Sequence, residues 1–143
     1  MPDSEVSTID LSTLDVASAA EKGAVLQLTH PVSGDELGIS IRLAGADSDL
    51  YQKAQRAGVN KRISKRRRTP LTPEELVEES YTLLAKISLG WTGVVLDGEA
   101  LPFSFDNARM LYKRFPWIRE QVDQFTADRG NFLQDRLTRS AKR

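Results

Sequence analysis

GWTGVVLDGEALPFSFDNARMLYKRFPWIREQVDQFTADRGNF, residues 90–132, contains both tryptophans and every phenylalanine of the chain, set in a repeated turn-then-helix grammar. Gly90 reads as a helix stop, and Gly93-Val94-Val95-Leu96 as a short extended run. Asp97-Gly98 can supply the positive φ angles of a tight turn. Leu101-Pro102-Phe103 returns as an extended segment, because a residue before proline avoids the helical region. Ser104 sits where an N-cap belongs, and Asp106 in the first turn faces the positive end of the helix dipole. These signals predict a helix from Phe105 to Arg114. Phe115-Pro116 ends it, and Pro116 is preorganised to open the next helix at its first position. That second helix carries Ile118, Val122, Phe125, Phe132 and Leu133 along one side, near the 3.6-residue period.

The rest of the chain reads more coarsely. Residues 1–22 are polar, with Leu11, Leu14 and Val16 as the only anchors, and are expected to be poorly ordered. Ala24 to Thr29 is a candidate strand. Leu37, Ile39, Ile41 and Leu43 alternate with Gly38, Ser40 and Arg42, a period of two. The turn-rich His30-Pro31-Val32-Ser33-Gly34-Asp35 joins the two runs into a hairpin over 24–43. An isolated hairpin is marginal in water, so its apolar face must pack on the helices. Asp47-Ser48 can cap a helix beginning near Asp49, which Gly58 weakens, and a basic segment over 58–70 follows. Thr72 and Glu75 have capping-box spacing, and Pro73 fits the first helical position. The predicted architecture is α+β: an N-terminal β-hairpin packed on a mainly helical C-terminal bundle of about four helices. Its single domain spans 23–138, with the helical region at 73–138 and a basic tail at 139–143.

At 143 residues the chain is long enough for one real core. With no cysteine there is no disulfide or thiol chemistry. No run approaches the roughly 20 apolar residues of a membrane span. The acidic, polar N-terminus is unlike a signal peptide, so the expected compartment is intracellular. The net charge of zero conceals four blocks: −7 over 1–50, +8 over 51–72, −6 over 73–108 and +5 over 109–143. Blocks of opposite sign can pair within one molecule or between copies, which leaves internal neutralisation and homo-oligomerisation both open.

Groups able to do chemistry are sparse. His30 is the only histidine and stands beside a turn, where a surface role is the ordinary one. Asp35 and Glu36 cannot complete a metal site alone. Glu74, Glu75, Glu78 and Glu79 suit a negative first helical turn better than paired acid–base work. Asp47-Ser48-Asp49 lacks the glycine and closing glutamate of a calcium loop. Gly90-Trp91-Thr92-Gly93 lacks the lysine and following helix of a phosphate loop. The expectation is therefore no enzyme, no cofactor and no metal.

The chain resembles the tail assembly chaperones of long-tailed bacteriophages. The resemblance rests on Gly90-Trp91, the Asp97-Gly98 turn, Leu101-Pro102-Phe103-Ser104, Asn107-Ala108 and Pro116-Trp117-Ile118, followed by Val122, Phe125 and Asn131-Phe132. Upstream, Leu43-Ala44-Gly45-Ala46-Asp47-Ser48 with Tyr51 and Ala54, and Asp10-Leu11-Ser12-Thr13-Leu14-Asp15, are also similar to the family. It implies a small non-enzymatic protein of the bacterial host cytoplasm, absent from the mature virion. Such a protein binds the tape measure protein and keeps it soluble while tail tube protein polymerises around it.

A holdase for a long helical client needs an apolar surface. Aromatic side chains at helical spacing are most often core, but eight rings are hard to bury completely in a chain this small. Trp91, Tyr112, Trp117 and Phe132 are the candidates for a partner-binding groove, with Phe125 assigned to the core. The alternative site is the basic run Lys61, Arg62, Lys65, Arg66, Arg67 and Arg68, which could bind phosphate backbone through counterion release. It lacks interleaved aromatics, and the helix after it starts acidic, so a self-paired charge run or a protein contact ranks above nucleic acid. A structural component of the virion tail is the remaining alternative.

Overall fold

The computed structural model describes residues 8–64 and 71–133, with side chains described for 8–59 and 71–133. The chain mixes helix and strand, with a three-stranded antiparallel sheet and helices after it. In chain order the elements are a 3-10 turn at Leu11–Leu14, α1 (Val16–Lys22), β1 (Ala24–Thr29), β2 (Glu36–Leu43), α2 (Asp49–Ser64), α3 (Pro73–Ile87), β3 (Ser88–Thr92), β4 (Val95–Leu96), β5 (Glu99–Ala100), α4 (Phe105–Arg114) and α5 (Pro116–Ala127).

The hairpin forms where the period-two pattern places it. β1 and β2 pair with Ala24 opposite Leu43 and Leu26 opposite Ile41, and the register shifts between Gln27 and Thr29. His30 organises the connection: its Nδ1 accepts from the Val32 and Ser33 N–H groups at 3.1 and 3.2 Å. β3 joins the other side of β2, with Trp91 opposite Ile41 and Gly90 opposite Arg42, giving the order β1-β2-β3. Gly90 is thus a strand residue rather than a helix stop; the chain passes from α3 at Ile87 straight into β3 at Ser88. Of the run 93–96, only Val95–Leu96 is a strand; it pairs with Glu99–Ala100 across Asp97-Gly98, both at positive φ (52° and 84°), as the turn type demands.

The helix starts follow their local signals. Thr72 Oγ1 accepts from the Glu75 N–H at 3.1 Å while Glu75 Oε1 accepts from the Thr72 N–H at 2.9 Å. Ser104 Oγ accepts from the Asn107 N–H at 3.0 Å and opens α4 over the predicted range. Pro116 stands at the start of α5. Other elements depart from expectation. Val16–Lys22, expected to be poorly ordered, is a helix capped by Asp15 with Ala19 and Ala20 buried. α2 runs through Gly58 to Ser64, so the basic segment begins inside a helix. α5 stops before Asp128, and Phe132 belongs to a separate helical turn. Lys61 and Arg62 lie on the α2 backbone with side chains outside the described set, and Lys65, Arg66, Arg67 and Arg68 lie outside the described residues, as do 1–7 and the tail 139–143.

The core sits between the inner face of the sheet and α3, α4 and α5. Leu28, Ile41, Leu43, Leu84, Ile87, Tyr112 and Val122 are fully enclosed there. α3 packs against α2, α4 and α5. The outer edge of β1 is tied to α5 by one side chain. The Gln121 amide donates to the Thr29 carbonyl at 2.9 Å, and its oxygen accepts from the Thr29 N–H at 3.1 Å. Gln121 thereby satisfies both backbone groups of an edge residue, as a neighbouring strand would.

Candidate functional site

The four aromatic candidates do not converge. Tyr112 is buried, and its hydroxyl lies 2.6 Å from Ser88 Oγ. Ser88 donates its own proton to the Leu84 carbonyl at 2.8 Å, so Tyr112 donates to Ser88. Burial pushes the Tyr112 phenol up to about 12, against a smaller opposite pull from the Ser88 hydrogen bond, so it stays a neutral donor. Phe132 is also buried. It meets Phe125 edge-on at 5.6 Å, and it closes over Gly45 so tightly that a Cβ there would stand 2.9 Å from its ring. Two of the four rings therefore belong to the interior and line no exposed groove. Phe125, assigned to the core, is partly buried and packs against both apolar clusters.

Trp91 is partly buried and structural in its bonding. Its indole N–H donates to the Leu101 carbonyl at 2.8 Å, and its ring meets Phe103 edge-on at 5.0 Å. It fastens β3 to the segment leading into α4.

Trp117 is different. It stands at the start of α5, partly buried, over an open apolar cleft of about 430 Å³. Leu28, Val94, Leu111 and Ile118 are buried and form the floor. Leu37 and Ile39 of β2, Val95 and Leu96 of β4, and Phe115 form the walls with Trp117. Val95 is 62% exposed. The ring of Phe115 meets Trp117 at 6.4 Å with the planes 70° apart. The Arg114 guanidinium lies 5.3 Å from the Phe115 ring centroid and pairs with Asp97 at 3.6 Å, anchoring the β4–β5 turn to the end of α4.

Local geometry explains why the cleft stays open. β2 has eight residues and β3 five, and β3 pairs only with Ser40 to Leu43. The inner-facing Leu37 and Ile39 therefore lie beyond the third strand's pairing. Gly93 shapes the far end: at φ 81° its backbone approaches Gly38 so closely that a Cβ would stand 2.2 Å from the Gly38 oxygen. Only glycine fits that backbone. Leu37, Ile39, Val95, Leu96 and Phe115 were not among the expected groove residues. The alternation in β2 marks Leu37 and Ile39 as apolar, but not that their cover runs out.

Among the described residues, no group of three or more His, Asp or Glu side chains is placed to hold a metal ion. No helix among them is long and apolar enough to cross a membrane. The cleft has an apolar floor and walls, with no charged side chain in its lining, so it can cover apolar side chains by desolvation. No protein-family model, curated protein or solved structure matches the chain.

Proposed function

We propose that this protein is a non-enzymatic assembly chaperone of a long-tailed phage, and that it covers apolar stripes of the tape measure protein with the cleft beneath Trp117. The observation that carries this reading is an apolar cleft left open at one end of an otherwise closed core. The resemblance through Gly90-Trp91, Leu101-Pro102-Phe103-Ser104 and Pro116-Trp117-Ile118 supplies the client class. In this reading the helices after the sheet act as the expected bundle of about four, a rigid back against which the cleft is held. The protein works in the host cytoplasm, hands its client to the tail tube protein and leaves before the particle matures.

The chemistry suits a holdase. A helical client presents apolar side chains every three to four residues. Their burial against Leu37, Ile39, Val95 and Trp117 is worth about 25 cal/mol per Å² of apolar surface removed from water. No bond is made or broken, so release requires only that tube subunits compete for the same stripes. Co-expression with the tape measure protein tests the proposal. The wild-type chain is expected to keep the client soluble, and Trp117→Ala combined with Ile39→Asp to lose most of that effect while remaining folded. Equal rescue by the folded double variant would overturn the assignment of the cleft.

A further inference from the structure

We propose that the free edge of β3 is a self-association site whose occupant is β3 of a second copy of this chain, laid antiparallel across a two-fold axis. The chain treats the two edges of its sheet differently. On the β1 edge the Gln121 side chain donates to the Thr29 carbonyl at 2.9 Å and accepts from the Thr29 N–H at 3.1 Å. β3 has no such plug. It pairs with β2, with Ser40 opposite Thr92, Ile41 opposite Trp91 and Arg42 opposite Gly90. Its other substantial packing is with α3, the helix it follows. Among the described residues, no hydrogen bond from any other segment reaches the backbone of 89–92. Residues of an antiparallel strand turn their backbone groups alternately to its two sides, so β3 leaves part of its backbone without a protein partner.

The make-up of the edge identifies the occupant. Edge strands are commonly blunted by lysine, proline or an inward-pointing charge. Ser88-Leu89-Gly90-Trp91-Thr92 contains none of these, and its register shift lies at the Ser88 end, leaving 90–92 in regular pairing. Leu89 is 39% exposed, and Phe103, whose ring meets Trp91 edge-on, is 36% exposed. Apolar side chains thus flank unpaired backbone, the combination that strand addition uses. An uncharged strand has no group with which to select a charged peptide. A second β3 matches it in length, offers the same free backbone groups and brings the same apolar flank, so one two-fold axis satisfies both copies at once. Gly90 has open space where a side chain would stand, which lets a second backbone approach closely. The formal net charge of zero leaves no overall repulsion between copies. Pairing joins the three strands of each copy into one continuous sheet. A seam of five residues a side is small, so the dimer is weak and reversible.

Sedimentation velocity from low to several hundred micromolar tests the inference. The wild-type chain is expected to dimerise reversibly, with little dependence on salt because the seam carries no charge. Leu89→Lys with Thr92→Lys places two lysines of each copy beside the axis, and is expected to raise the dissociation constant at least about tenfold, the equivalent of roughly 1.4 kcal/mol. Trp117→Ala is expected to leave the dimer unchanged, so failure here is distinct from failure of the client cleft. Amide hydrogen exchange on the wild-type chain keeps the test decisive if the lysine variant does not fold. Protection within 89–92 is expected to rise with protein concentration, while protection along the β1 edge stays the same. A wild-type chain that stays monomeric throughout, dimerisation unaltered in a folded lysine variant, or protection within 89–92 that does not rise with concentration would each overturn the proposal.

Discussion

At one end of β2, Ile41 and Leu43 are fully buried; at the other, Leu37 is 37% exposed and Ile39 only partly covered, although all four alternate on the same face. The closed end has β3 beside it, α3 and α4 above it, and Phe132 with Ala19 and Ala24 sealing a second small cluster. The open end is lined by β4, the last turn of α4 and the start of α5. A single period-two pattern thus serves two purposes. Where helices cover it, it stabilises the fold; where they stop, it leaves apolar side chains exposed beside the cleft. The difference lies in cover rather than composition, and it divides the aromatic residues in the same way, Tyr112 and Phe132 inside and Trp117 at the opening.

The largest expected effect separates those two aromatic classes. Phe132→Ala removes a ring packed on Gly45, Ala19 and Phe125, and should cost about 3–5 kcal/mol in urea unfolding. Trp117→Ala removes a partly exposed ring and should cost about 1–2 kcal/mol. Equal losses would mean that the Trp117 cleft is as much core as the closed end.

Alkaline pH sharpens the contrast next. The folded-state phenol of Tyr112 is raised to about 12, so folding favours its neutral form. That contribution is complete below the unfolded value near 10 and is lost as pH rises through the folded value. Over the window from about pH 10 to 12 the chain should lose about 2–3 kcal/mol, an order-of-magnitude figure at roughly 1.4 kcal/mol per unit. Tyr112→Phe should remove this part of the alkaline loss in denaturation curves taken across that range.

A smaller effect lies at the surface of the closed end. Arg129 grips both carboxylate oxygens of Asp47, at 2.6 and 3.0 Å, and holds the Asp47 carboxyl below the usual range. A lowered folded value means that stability is present above the unfolded pKa and is lost as pH falls through the folded one. Asp47→Asn should therefore unfold at slightly lower urea than the wild type at neutral pH, with the gap closing toward pH 3. A gap that persists unchanged into acid would assign the effect to something other than this ion pair.

Local signals were legible in the sequence and contacts between distant segments were not. The Thr72–Glu75 box, the Ser104 cap, Pro116 and the Asp97-Gly98 turn act within four residues, and each appears where the sequence places it. β3 was missed because a five-residue strand containing Gly90 is defined by its pairing with β2 rather than by its own pattern. α1 was missed because seven residues capped by Asp15 carry little periodicity. The sequence offers Tyr112 and Trp117 alike as groove candidates, yet Tyr112 is enclosed where Ser88 meets its hydroxyl, while Trp117 is only partly buried beside the cleft. Ser88 gave no signal at all, since its role exists only once α3, β3 and α4 have met.

The two indoles offer the most direct test of the proposed role of the cleft beneath Trp117. In a nitrogen–proton NMR titration with a helical segment of the tape measure protein, the Trp117 indole resonance should shift saturably. The Trp91 indole, held by the Leu101 carbonyl, should stay in place. A segment that binds without moving Trp117, or that moves Trp91 alone, would contradict the account.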